Sequence, residues 1–282
     1  SEMCIRDRIE GVPGVAKTLL ARLTARLIDA DFSRVQFTPD LMPSDVLGTT
    51  VFNMKTNGFD FHQGPIFADI VLVDEINRAP AKTQAALFEV MEERQISIDG
   101  TTHRMGDLYT ILATQNPVEQ EGTYKLPEAQ LDRFLMKITM DYPSLEEEVN
   151  ILERHHTNAA LVKLDDITPA ITKEELLSLR AFMNQVFVDR TLLQYIALIV
   201  QQTRTSRAVY LGASPRASVA MLQSSKAYAL LQGRDFVTPE DIKFVAPYVL
   251  QHRLILTAEA EMEGYSPVKV TQRLIDKVEV PK

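Results

Sequence analysis

Two hydrophobic periods run along this chain. In the first half, short continuous apolar runs alternate with segments of helical spacing, the pattern of an α/β fold built on a parallel sheet. Ile70-Val71-Leu72-Val73 is the clearest run and predicts a central strand buried on both faces. Arg34 to Phe37, Leu108 to Thr114 and Leu135 to Met140 predict further strands, and Leu19 to Ala30 and Ala81 to Arg94 predict helices. In the first helix the apolar positions are Leu19, Leu20, Leu23 and Leu27, with Ala21, Ala25 and Ala30. Two excursions interrupt the alternation. Gly48 to Phe67 carries an Asn57-Gly58 hairpin signal and Gly64-Pro65, and Gln95 to Met105 alternates around Asp99-Gly100.

The second half is helical throughout. Ser144-Leu145-Glu146-Glu147 caps a charged helix running to His156, a polar connector follows to Ile171, and Thr172-Lys173-Glu174-Glu175 caps another helix. Thr191 to Thr203 and Pro215 to Gln232 continue the pattern, and Thr238-Pro239-Glu240-Asp241 opens a further helix. The expected division is therefore an α/β domain over 1–143, a linker and connecting helix over 144–171, and a small helical bundle over 172–282.

The start of the chain does not fit this regularity. Ser1 to Glu10 stands where such a fold needs an apolar strand, yet only Ile5 and Ile9 could face a core. The expectation is that the native first strand is missing and that an unrelated short sequence takes its place. A domain anchored this way should be less stable, and hold a ligand at that strand's end more weakly, than one with a proper first strand.

Chemistry enters at two points on the sheet's expected carboxyl edge. Gly11-Val12-Pro13-Gly14-Val15-Ala16-Lys17-Thr18 resembles a phosphate-cradling loop, except that Ala16 stands where the strict pattern has glycine. Alanine is acceptable there if the local φ is negative, as at a helix start. The backbone N–H groups and the following helix would face phosphates, Lys17 would reach the β and γ oxygens, and Thr18 would offer its hydroxyl to a metal. Taken alone, the loop is also compatible with an ordinary Gly/Pro turn. Asp74-Glu75, directly after the buried run, makes that simpler reading harder to hold. An ordinary turn explains one carboxylate better than two, and the crevice beyond the strand ends is where open α/β sheets bind ligands. Asn116, just past the next strand, suits the orientation of an attacking water; Arg133, on its residue type alone, suits a surface ion pair as well as catalysis.

The composition is that of a soluble enzyme-like chain: 282 residues, 45% hydrophobic and 24% charged, with one cysteine, Cys4. That cysteine count excludes a disulfide framework and a cysteine-rich zinc site. The net charge of −8 argues against an electrostatic grip on nucleic acid. The apolar stretch ending Tyr195 to Val200 is too short to span a bilayer, and no signal peptide is visible, so the expected compartment is the cytoplasm. His155-His156 lacks acids at ligand spacing and reads as two solvated helix-end residues.

Five blocks in order resemble the MoxR family of AAA+ ATPases: residues 11–18, Leu72 to Ala79, Ala113-Thr114-Gln115-Asn116-Pro117, Glu128 to Phe134, and Gly212-Ala213-Ser214-Pro215-Arg216. The resemblance runs from about Gly11 to about Leu256, and alanine before the lysine is usual in that family. It implies an AAA+ core with a helical lid, and a ring, usually hexameric, that hydrolyses ATP with Mg2+. Gly11, Val12, Pro13, Gly14, Val15, Ala16, Lys17, Thr18 and Leu19 would cradle the nucleotide; Thr18 and Asp74 would hold the metal. Glu75 would be the Walker B base, Asn116 sensor 1, Arg133 an arginine finger acting on the neighbouring subunit, and Arg216 sensor 2. The two hairpins match inserts that such rings use to touch substrates or partners. Family members resemble chaperone-like remodellers, commonly beside a partner carrying a von Willebrand factor A domain. A nucleic-acid motor would need basic hairpin tips, and these have Lys55 with Asp60, and His103 and Arg104 against Asp99. A nucleotide-regulated scaffold would need a broken Asp74-Glu75 or Arg133, and none is broken.

Overall fold

The computed structural model describes residues 5–11, 16–115, 124, 126–157 and 164–281. The chain divides into two compact units, one of Ser1–Leu126 with Ile138–Leu177, the other of Pro127–Lys137 with Ser178–Lys282.

The first unit is built on a five-stranded sheet. Along the chain come β1 (Ile5–Gly11), α1 (Lys17–Leu27), β2 (Phe32–Gln36), α2 (Pro43–Leu47), the hairpin β3 (Gly48–Asn53) and β4 (Gly58–Gln63), and β5 (Ile70–Asp74). Then follow α3 (Ala81–Glu93), the hairpin β6 (Gln95–Ile98) and β7 (Thr101–Arg104), β8 (Thr110–Gln115), α4 (Glu128–Leu131), β9 (Met136–Met140) and α5 (Leu145–His156). The sheet order is β2-β5-β8-β1-β9, with β2, β5, β8 and β1 paired in parallel. All five residues of β5 are buried, as its apolar run requires, and Tyr109, Ile111 and Ala113 fill the layer beside it.

One expectation needs correction. Residues 5–11 do form the first strand, aligned residue by residue with β8 from Ile5 opposite Thr110 to Glu10 opposite Gln115. Ladder hydrogen bonds on a central strand serve any residue, so the segment needs few apolar side chains to pair. Ile9 is buried, and so is Arg8, at 4% exposure, in an ion pair with Glu10 at 2.9 Å. The helix read from Leu19 onward is present as α1, which buries Ala21 and Ala25 and leaves Leu19, Leu20 and Leu27 largely exposed. It turns its small-residue stripe inward, where it packs closely against β5. Pro127–Lys137 groups with the helical unit.

The hairpin signals are borne out. Asn57 takes a left-handed φ of 50° before β4, and Asp99 and Gly100, at 50° and 79°, make the two-residue turn of β6 and β7. At the neck of the first hairpin the backbones approach so closely that a Cβ on Gly48 would collide with the His62 carbonyl, and one on Gly64 with that of Val46.

The second unit continues with α6 (Lys173–Met183, beginning in the first unit), α7 (Arg190–Thr205), β10 (Val209–Leu211), α8 (Pro215–Leu231), α9 (Pro239–Leu250), β11 (Ile255–Leu256), α10 (Ala258–Met262) and α11 (Pro267–Lys277). Its core joins Ile196, Ile199, Met221, Ile242, Leu250 and Leu274. The capping boxes read from the sequence are present at Ser144/Glu147, Thr172/Glu175 and Thr238/Asp241.

Candidate functional site

The strand ends of the first unit collect the expected phosphate and acid groups on one edge. β1 ends at Gly11, and Lys17, the first residue of α1, folds its Nζ back to donate to the Gly11 carbonyl at 2.6 Å. Ala16 between them has φ 55°, in the left-handed region, so alanine here does not sit at the negative φ expected of it. Its Cβ is accepted at a cost of about 1–2 kcal/mol, because the turn into α1 demands that angle. Thr18 is half-buried and Leu19 exposed. No acidic residue lies in the first turn of α1, so its positive end is not neutralised locally. Val12, Pro13, Gly14 and Val15, like Asn116, lie outside the described residues.

Asp74 and Glu75 form a tightly held acidic corner. Thr114 sits one residue beyond Ala113, the partner of Val73 in the β5/β8 register. Its hydroxyl donates to Asp74 Oδ1 and accepts from the Glu75 N–H at 3.0 Å, so one buried threonine orients both acids. Arg34 donates to Asp74 Oδ2 from Nη2 at 2.7 Å and from Nε at 3.1 Å. Arg34 also donates to Gln36 Oε1, whose amide nitrogen donates to Glu75 Oε2 at 2.9 Å; Arg78 donates to the same oxygen at 2.9 Å. Glu75 itself has φ 56°, a strained left-handed turn that ends β5 abruptly and swings its side chain clear of the strand.

Thr114, Arg34, Gln36 and Arg78 are site residues that sequence reasoning gave no role. A signal existed for two of them. Gln36 ends the strand paired with β5, opposite Asp74, and Thr114 is the last residue but one of the other neighbour. Knowledge of the strand order converts both from strand-end polar residues into neighbours of the acids.

The donor set suits magnesium. The Asp74 carboxylate, already charge-paired with the Arg34 guanidinium, and the Thr18 hydroxyl are hard oxygen donors that would hold the ion. Among the described residues no group of three or more His, Cys, Asp or Glu could hold a metal ion.

The second unit holds the two remaining candidates. Arg133 follows α4 in a turn closed by its N–H to the Gln130 carbonyl, directly before the fully buried Phe134. Arg216 is the second residue of α8; its N–H donates to Oγ of Ser214, the N-cap. Asp132 lies between them: Oδ2 accepts from Ser214 Oγ at 2.8 Å and Oδ1 from Arg253 Nε at 3.0 Å. Burial pulls Arg253 down to about 10, against the opposing pull of Asp132, so it is a full cation at neutral pH.

Comparison with known proteins agrees with this arrangement. Residues 8–136 match the model of the ATPase family associated with various cellular activities (AAA), and residues 201–276 match the AAA lid domain. The chaperone MoxR1 of Mycobacterium tuberculosis is 44% identical over 97% of this chain and 74% of its own length. The chain belongs to the MoxR family of AAA ATPases. The YeaC protein of Bacillus subtilis is 47% identical, over 97% of this chain and 84% of its own. The crystal structure of a protein of Cytophaga hutchinsonii, assigned as an ATPase, superposes with a TM-score of 0.88 at 41% identity, covering 98% of this chain and 86% of that one. Membership of the MoxR family agrees with the parallel sheet of the first unit and with the lid match of residues 201–276. Among the described residues, no helix of this MoxR chain is long and apolar enough to cross a membrane.

Proposed function

We propose that this MoxR-family chain hydrolyses ATP with Mg2+ and, assembled in a ring, uses the cycle to remodel or activate client proteins. The observation that carries the reading is the acidic corner, where one threonine orients a metal-ligating carboxylate and a second carboxylate for base chemistry. Bound magnesium would supply positive charge to the β and γ phosphate oxygens. Asp74 and Thr18 hold it, Lys17 exchanges its bond to the Gly11 carbonyl for phosphate oxygens, and the loop from Gly11 to Ala16 cradles them. Glu75 accepts the proton of the attacking water, and Gln36 and Arg78, both bonded to its Oε2, fix the rotamer in which it does so. Asn116 orients that water. Arg133 reaches the γ-phosphate of the next subunit, and Arg216 reports on the nucleotide from the lid.

The client side of the proposal rests on the first hairpin. Met54 at 87% exposure, Phe59 at 74%, and Val51 and Phe52 make its tip apolar, which favours unfolded protein over a phosphate backbone. A partner carrying a von Willebrand factor A domain is the expected companion.

Glu75→Gln tests the chemistry. It should keep ATP binding and abolish hydrolysis, because the amide preserves shape and cannot accept a proton. Lys17→Ala should lose binding instead. Turnover by Glu75→Gln at the unmodified rate, measured as phosphate release, would remove Glu75 from the role of base.

A further inference from the structure

The C-terminal end of α9 carries Gln251-His252-Arg253, all three buried, and each reaches toward the segment around Arg133. Arg253 has five N–H donors, and the structure uses all five. Nε donates to Asp132 Oδ1 at 3.0 Å; Nη1 donates to the carbonyls of Leu135, at 3.1 Å, and Val249; Nη2 donates to those of Asp132, at 3.1 Å, and Phe134. The His252 ring shares the Phe134 carbonyl at 3.1 Å, and Gln251 donates to the Lys137 carbonyl at 2.7 Å.

We propose that Gln251-His252-Arg253 is a positioning clamp that fixes the backbone on both sides of Arg133 and thereby aims that arginine at the neighbouring subunit's nucleotide. The clamp rests on the assignment of Arg133 as a trans-acting finger. Three physical points carry it. A buried ion pair is a poor source of stability, since apolar residues of similar volume commonly serve as well or better. A guanidinium does what no apolar side chain does, which is to hold several carbonyls at fixed directions at once. The carbonyls held are those of residues 132, 134, 135 and 137, which bracket position 133. The same bonds explain why Pro127–Lys137 travels with the helical unit. Asp132 extends the clamp to the N-cap of α8 through Ser214, so the segments bearing Arg133 and Arg216 share one anchor.

The clamp is tested in the full chain by Asp132→Asn with Arg253→Met, which removes both charges and strands neither. Because the carbonyls of residues 132, 134, 135 and 249 lose their donors, this double variant should melt below the unmodified protein, but where folded it should bind a fluorescent ATP analogue with unchanged affinity, while turnover falls on the order of tenfold to a hundredfold, the scale of a small misplacement. Mixing decides whether the loss acts through Arg133. Lys17→Ala subunits have an intact finger and no working nucleotide site, so adding them should restore activity to the double variant's sites. Arg133→Ala subunits should restore none. Arg253→Lys, which keeps the charge with three donors, should give an intermediate rate with the same mixing pattern, and it carries the test if the double variant does not fold. An unmodified turnover rate would overturn the clamp, as would a loss that Lys17→Ala fails to rescue while the control mixture of Arg133→Ala and Lys17→Ala recovers. Failure of that control mixture would instead remove the finger assignment, and the clamp with it.

Discussion

Thr114 shows how much of this site hangs on single atoms. Its hydroxyl is the only group described here that touches both acids of the corner, and its residue is 1% exposed. Thr114→Val keeps the volume and deletes the hydroxyl, which leaves Asp74 Oδ1 and the Glu75 N–H short of a partner. We expect a loss of about 1–3 kcal/mol in urea unfolding, the cost of unsatisfied buried groups. Nucleotide affinity should fall less than turnover, because the orientation of Glu75 matters chiefly once water attacks. Equal rates for the variant and the unmodified chain would show that the strained turn at Glu75 orients the acids unaided. Ala16 belongs to the same scale. Its positive φ is invisible to a pattern of residue types, and the alanine looked acceptable in the sequence for a reason the backbone does not supply.

At the scale of elements, legibility followed burial. β5 was readable because it is buried throughout and apolar up to Asp74, and β8 because Ile111-Leu112-Ala113 runs through its middle. β1 was not, since a strand held by neighbours on both sides can carry Arg8, Glu10 and Asp7 and still pair. Within the strand, Arg8 and Glu10 depend on each other, because either charge left alone would be buried without its partner. Burial pulls the Arg8 guanidinium below its ordinary range and Glu10 opposes that shift, so Glu10→Ala alone should cost about 3 kcal/mol. Replacing both residues with valine should be close to neutral or stabilising, and urea midpoints of the three proteins separate these outcomes. A second element can be read through pH. Burial alone would raise the Asp241 carboxyl at the start of α9, but its bonds from Arg234 and from the Thr238 N–H outweigh burial and hold it below the ordinary carboxylate value. A lowered folded pKa means the stabilisation is complete above the unfolded value near 4 and is lost as pH falls through the folded one. Asp241→Asn should therefore be less stable at neutral pH and lose less on acidification below about pH 4 than the unmodified chain. Thermal melts of the two as a function of pH measure both differences.

For the whole molecule, the order of motifs specified the architecture, while the grouping of one segment was not legible. Residues 127–137 follow the sheet's strands in sequence and join the helices in space, because the bonds that decide their membership come from Arg253 and Gln251, more than a hundred residues away. No local pattern carries such a pairing. Arg133 brings this scale into function. If it completes the site of the next subunit, isolated subunits are nearly inactive, and specific activity should rise with protein concentration in the presence of ATP. An arginine finger contributes on the order of 10³–10⁵ in rate, far more than a surface ion pair. A specific activity independent of concentration across the assembly range, followed by light scattering, would contradict action in trans.

The neck of the first hairpin has a consequence of another kind. Where Gly48 and Gly64 press backbone to backbone, no side chain fits, so the stem is fixed to the domain by geometry that any other residue would disturb. Beyond it, Met54, Val51, Phe52 and Phe59 are exposed, and Phe52 and Phe59 pack edge to face on each other. Change at the head is thereby uncoupled from change at the stem. A lineage can rewrite the exposed face of the hairpin, residue by residue, without disturbing how the hairpin is attached, and the same separation offers an engineer an interchangeable head on a standard stem.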